Sequence, residues 1–166
     1  MPAALSLHIL AERGDLRGCR TVLRSGQNPD EPNADGLTPL HFASAMGHAD
    51  VASLLVRDGA WVDARDGLQC TPLHAACEGG FVGIAAMLLD AGAAINARNG
   101  HDQTPLHYAV SYQQEATATL LVKRSVSLSA KDSQGRTPLH MACIAGDCRI
   151  IEMLLRSGCR ISVRRA

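Results

Sequence analysis

The sequence predicts an all-α solenoid of about five stacked helix-turn-helix units joined by β-turn or hairpin loops. Three observations carry that prediction. The tetrapeptide Thr-Pro-Leu-His occurs four times, at Thr38–His41, Thr71–His74, Thr104–His107 and Thr137–His140, each copy starting 33 residues after the last. A fixed period of this size marks supersecondary units that bury their apolar faces on one another. Glycine keeps the same step, with Gly26, Gly59, Gly92 and Gly158 at one position of the period. Finally, 46% of residues are hydrophobic but only 3% aromatic, so the core must be aliphatic and alanine-rich, as closely packed small helices allow.

The elements follow in order. A degenerate copy of the tetrapeptide, Leu5–His8, opens the first unit, and Leu7 to Asp15 keep the register until Gly26 ends a second helix. This unit lacks Thr-Pro and carries Glu12, Arg13, Asp15, Arg17, Arg20 and Arg24, the polar surface that an exposed end of a stack requires. In the second unit Asn33-Ala34-Asp35-Gly36 is turn chemistry. Thr38 caps a helix, and Pro39 sits at its first position, where a missing N–H costs nothing. Leu40, Ala43 and Ser44 continue that helix, and Gly47 ends it in the left-handed conformation. Asp50 to Val56 form a second helix with apolar residues at helical spacing, ended by Gly59. A loop of about ten residues reaches the next Thr-Pro. The same pattern fits Thr71–Gly92 and Thr137–Gly158. The fourth unit departs from it, with Gln113 and Ser125 where its siblings have helix-ending glycines. If both keep a left-handed backbone, each costs about 1 kcal/mol relative to glycine, so Tyr108–Ser129 is expected to be the least stable stretch. The last unit keeps an apolar second helix with no polar unit after it, so a partner, a second copy or the rest of a longer protein is expected to cover that end.

These motifs resemble those of the ankyrin-repeat family. The signature reads TPLHFA, TPLHAA, TPLHYA and TPLHMA, and the second-helix pattern reads VASLLVRDGA, GIAAMLLDAGA and RIIEMLLRSGC. The resemblance covers residues 5–163 and divides one domain, 1–166, into repeats at 1–33, 34–66, 67–99, 100–132 and 133–166. It implies that the recurring histidines hydrogen-bond between repeats. It also implies that partner proteins bind the turn tips and the exposed side of the first helices.

Little in the chain suggests catalysis. His8, His41, His74, His107 and His140 share one repeat position, so stacking translates them apart rather than converging them on a metal. Cys77 and Cys143 occupy the small slot that also holds Ser44 and Val110, which predicts small buried hydrophobes. Cys143, Cys148, Cys159 and His140 cluster in the last unit without a Cys-x-x-Cys pair, a weak zinc signal. Cys70, beside a turn, is expected to be exposed and the most reactive thiol. Phosphate loops, dinucleotide fingerprints, nucleophile elbows and His-Glu-x-x-His are missing from the sequence, so neither enzyme activity nor a cofactor nor a small-molecule substrate is predicted.

The net charge is zero, but unevenly distributed. Residues 27–122 carry 11 acids against three arginines, a net of −8, while residues 123–166 carry a net of +6. An acidic middle disfavours nucleic acid, with Arg160, Arg164 and Arg165 as the counter-evidence, and can orient a charged protein partner. No membrane-spanning stretch and no signal-peptide pattern is visible, so a cytoplasmic or nuclear location with reduced thiols is expected.

The expected function is therefore a non-enzymatic protein-interaction module or adaptor. The alternative is a regulatory or targeting domain of a larger enzyme, channel or ubiquitin-ligase subunit. Candidate contacts are Leu37, Leu68, His101, Gln103 and Arg136 around the turns, and Met46, Glu78, Tyr112 and Ile144 on the exposed side of the first helices. Leu37, Met46, Leu68, Tyr112 and Ile144 would form an apolar strip where the repeat core requires none. Arg65, Arg98 and Lys131 stand 33 residues apart at the turn base. They either pair with Asp66, Asp102 and Asp132 or grip an acidic peptide. Trp61, the only Trp, falls in the loop after Gly59 and either serves as a hot spot or packs on the neighbouring turn. The partner's identity and the oligomeric state are not written in the sequence.

Overall fold

The structure, a computed structural model, describes residues 6–159. Leu5, Arg160, Arg164 and Arg165, and the expectations attached to them, lie outside that range. Ten α-helices and no strand occur among the described residues. They pair as α1 (Leu7–Glu12) with α2 (Leu16–Arg24), α3 (Pro39–Met46) with α4 (Ala49–Arg57), and α5 (Pro72–Gly79) with α6 (Val82–Asp90). The series continues with α7 (Pro105–Ser111) and α8 (Glu115–Lys123), then α9 (Pro138–Ala145) and α10 (Cys148–Arg156). Each first helix packs on the first helices before and after it, and each second helix does the same, giving two helical layers.

The Thr-Pro-Leu-His motif builds each first helix. Thr38 is extended at the N-cap, Pro39 takes the first turn, and the Thr38 N–H donates to His41 Nδ1 at 3.2 Å. That bond fixes Nε2 as the protonated ring nitrogen, and it reaches the next unit. His41 Nε2–H donates to the Cys70 carbonyl at 3.1 Å, His74 to Gln103 at 3.1 Å and His107 to Arg136 at 3.2 Å. In the first unit His8 Nε2 instead meets the Glu31 carbonyl of its own unit at 2.6 Å. His41, His74 and His107 are therefore inter-repeat ties, as the resemblance implied. Burial pushes the pKa of His41, His74 and His107 down, that of His74 to about 4, so the rings stay neutral donors.

One side chain also builds every turn. The Oδ1 atoms of Asn33, Asp66, Asn99 and Asp132 each accept two backbone N–H groups of their own turn, two and four residues on. Single backbone bonds then link successive tips: Gly67 N–H to the Asp35 carbonyl, Gly100 to Leu68 and Ser133 to His101, at 2.8 to 2.9 Å. Two leucine columns fill the interior, Leu40, Leu73, Leu106 and Leu139 from the first helices and Leu55, Leu88, Leu121 and Leu154 from the second.

The fourth unit departs from its siblings where expected. Gln113 and Ser125 hold φ of 57° and 61°, the left-handed conformation of the glycines they replace. Gln69 and Asp102 do likewise at φ of 61° and 58°, where Gly36 and Gly135 stand in other units. Thr117 adds a buried hydroxyl without a hydrogen-bond partner at the position held by Val51, Ile84 and Ile150 elsewhere.

The last unit corrects one expectation. Cys143 is exposed, as is His140, although their siblings Cys77 and His74 are fully buried. The slot is closed by the following unit, and among the described residues none stacks on α9. In α10, Ile150 and Leu154 face the interior while Leu155 is exposed.

Candidate functional site

The stack leaves one long surface between the turn tips and the first helices. The residues that close each first helix, Ala45-Met46, Glu78-Gly79, Ser111 with its cap Tyr112, and Ile144-Ala145, are all exposed. Met46 is 49% exposed, Tyr112 51%, Leu68 63% and Ile144 73%. Exposure this large at apolar side chains is not required by the repeat core.

A cavity of about 280 Å³ opens on this surface at the second and third units. It brings together Leu37, Met46, Leu68 and Glu78 of the sequence-derived set. It also uses Phe42, Ala75 and Tyr108, which sequence reasoning did not single out, and Cys70, which it read only as an exposed thiol. The cause lies in one repeat position, which reads Phe42, Ala75, Tyr108 and Met141 at steps of 33. Phe42 stands edge-on to His8 with centroids 6.0 Å apart, and Tyr108 stands edge-on to His74 at 5.2 Å. Ala75 offers no ring to His41, and His41 therefore lines the cavity. That signal was legible as the small member of an otherwise large column.

Cys70 reverses the exposure expected of it. It is buried, its sulfur shares a hydrogen bond with the Tyr108 hydroxyl at 3.1 Å, and Asn99 Nδ2 donates to the same hydroxyl at 3.1 Å. Burial pushes its thiol pKa up, so it is the wrong residue for the reactive thiol. The Tyr108 ring continues to Tyr112, 6.0 Å away between centroids, which extends the apolar surface toward the fourth unit. Burial, then the neighbouring Glu78, push the Tyr112 hydroxyl pKa up.

The remaining candidates are spread out. His101 is exposed at the next turn tip, and Gln103 and Arg136 are half-buried beside it and in the turn beyond, their carbonyls taken by His74 and His107. Arg136 pairs with Asp132 at 2.7 Å. Ile144 lies on α9, outside the cavity.

The cation column has a structural occupation. Arg65 donates to the Arg98 carbonyl at 2.7 Å and Arg98 to the Lys131 carbonyl at 2.9 Å, stapling each turn to the next. Of the expected acid pairs, Arg98 meets Asp102 at 3.4 Å, whereas Asp66 and Asp132 build turns instead. Lys131 is exposed and supplies the carbonyl that receives Arg98. Trp61 is 60% exposed in the loop after α4, its backbone N–H donating to Asp30 at 2.8 Å, and it does not line the cavity.

No three His, Cys, Asp or Glu side chains converge on a common point among the described residues. Nor is any helix among them long and apolar enough to cross a membrane.

Comparison with known proteins agrees with this architecture. A family model described as ankyrin repeats (3 copies) matches residues 7–99 and again 96–165. The chain is 34% identical over 55 residues to the potassium channel SKOR of Arabidopsis thaliana, covering 33% of this chain and 7% of the channel. It is 36% identical over 52 residues to putative ankyrin repeat protein FPV223 of Fowlpox virus, covering 31% of this chain and 37% of that protein. It is 36% identical over 50 residues to human ankyrin repeat domain-containing protein 39, covering 30% of this chain and 27% of that protein. The matched stretch thus spans well under half the length of each of these relatives.

Proposed function

The chain belongs to the ankyrin-repeat family, and we propose that it acts as a non-enzymatic protein-interaction module whose groove grips a segment of a partner protein. The observation that carries this is the apolar surface of Leu37, Met46 and Leu68, which line a cavity, continued by exposed Tyr112, where the repeat core requires no apolar side chains. The rigid inter-repeat ties of His41, His74 and His107 support it, since a preorganised surface loses little freedom on binding. We place this function in the cytoplasm or nucleus, where thiols stay reduced.

A second reading makes the array a regulatory or targeting element of a larger protein. The exposed face of the last unit favours it, because His140 and Cys143 stand open where their siblings are covered.

Affinity capture from native lysate tests the first reading, with wild type beside the Met46→Asp/Tyr112→Asp double variant. A protein retained by wild type and lost by the double variant is the expected result. Equal capture by both moves the interface off the groove, first to the last-unit face.

A further inference from the structure

The cavity beside Ala75 is chemically two-sided. Its walls are apolar and aromatic, with Phe42 and Met46 on one side and Tyr108 on the other. Its lining also includes two carboxylates, Asp66 and Glu78, and no Lys or Arg. Asp66 is held in place by its own turn, because Oδ1 accepts the Leu68 N–H at 2.9 Å and the Cys70 N–H at 2.8 Å. Glu78 is exposed at the end of α5, and among the described residues neither acid joins an ion pair. His41 is a neutral donor already committed to the Cys70 carbonyl, so it brings no positive charge. The surrounding residues 27–122 carry a net charge of −8.

A purely apolar anchor would leave the Glu78 carboxylate and the second oxygen of Asp66, which its turn does not use, facing apolar surface. A long side chain with an apolar stem and a cationic head fits both halves. Arginine fits best, since its planar guanidinium stacks on aromatic faces and pairs with carboxylates through two parallel bonds. We propose that this slot takes an arginine side chain of the partner segment, its stem between Phe42 and Tyr108 and its guanidinium on Glu78 and Asp66. The proposal rests on the groove reading and adds what the groove selects: a basic anchor flanked by apolar residues that lie along Met46, Leu68 and Tyr112.

Selection of a random linear peptide library displayed on phage against the full chain tests it. Groove binders are first identified by loss of binding to Met46→Asp/Tyr112→Asp. They are expected to share one arginine, and its replacement by alanine should weaken binding about tenfold or more. Glu78→Gln on the protein should weaken them comparably, and raising the salt should do so progressively. Ala75→Phe should abolish binding by filling the slot while preserving the fold, because sibling units carry Phe42 and Tyr108 at that position. Groove-dependent peptides without a shared basic residue, or with one whose removal is harmless, overturn the arginine slot but leave the groove reading intact. A shared lysine in place of arginine overturns the guanidinium assignment. Peptides indifferent to both the double variant and Ala75→Phe overturn the groove reading itself, and the slot with it, as does a library that yields no binder.

Discussion

The His74 imidazole donates from Nε2 to the carbonyl oxygen of Gln103, 3.1 Å away in the next unit. One ring thus caps its own helix and ties two units, and burial holds its pKa at about 4 against an ordinary 6.5. The sign of the consequence follows from proton counting. Below pH 6.5 the unfolded chain binds a proton there that the folded chain refuses. Stability is therefore fully present above pH 6.5 and falls as the pH drops toward 4. The His74 contribution is on the order of 3 kcal/mol, and His41 and His107 act in the same direction. Urea midpoints at about pH 7 and about pH 4.5 should differ accordingly, with a smaller difference in His74→Asn. An unchanged midpoint would show that the buried rings do not stay neutral.

The fourth unit should be improvable by making it resemble its siblings. Thr117→Val removes a buried hydroxyl that has no partner and matches the branched residues Val51, Ile84 and Ile150. A gain of about 1 kcal/mol is expected. Gln113→Gly and Ser125→Gly relieve left-handed backbones and should add up to about 1 kcal/mol each. Amide exchange should show Tyr108–Ser129 opening first in the wild type and level with its neighbours in the combined variant. Uniform protection in the wild type would contradict this.

Thiol reactivity should follow burial rather than proximity to turns. Cys143 and Cys148 are exposed and should react rapidly with an aromatic disulfide reagent. Cys19, Cys70 and Cys77 are buried, and the Cys19 thiol pKa is pushed up to about 11 by burial, then by Asp15. These three should stay protected until the chain unfolds. Rapid labelling of Cys70 in the folded protein would contradict its bond to Tyr108.

Core and surface should separate cleanly under mutation. Leu88 is the fully buried member of the leucine column, and its neighbour Leu89 is only half-buried. Leu88→Ala should cost about 2–5 kcal/mol, and Leu89→Ala less. Met46→Asp should stay within about 0.5 kcal/mol of wild type. Thermal unfolding of the three variants reads this ordering directly.

The fold was legible because its causes are local and repeated. Thr and Pro start the first helix of each unit from the second to the fifth, His caps it there, and Gln113 and Ser125 betrayed their backbone by standing in a glycine column. Gln69 and Asp102 did the same one column over, in the turns, and went unread. The site was harder to read because it depends on side chains from different units. Cys70 looked exposed from its place beside a turn, yet Tyr108, 38 residues on, covers it. Arg65 and Arg98 looked like a binding edge, yet their partners are carbonyls 33 residues away, which a sequence does not mark as acceptors. Ala75 draws notice only beside Phe42 and Tyr108, one unit away on either side, and it went unread.

The groove itself is tested most directly by amide exchange of the full chain with and without a bound groove peptide or captured partner. Added protection is predicted at the turn tips and first helices of the second to fourth units, around Leu37–Met46, Leu68–Gly79 and His101–Tyr112. No change is predicted in α4, α6 and α8. Protection confined to those second helices, or to the last unit alone, would contradict a binding groove on this surface.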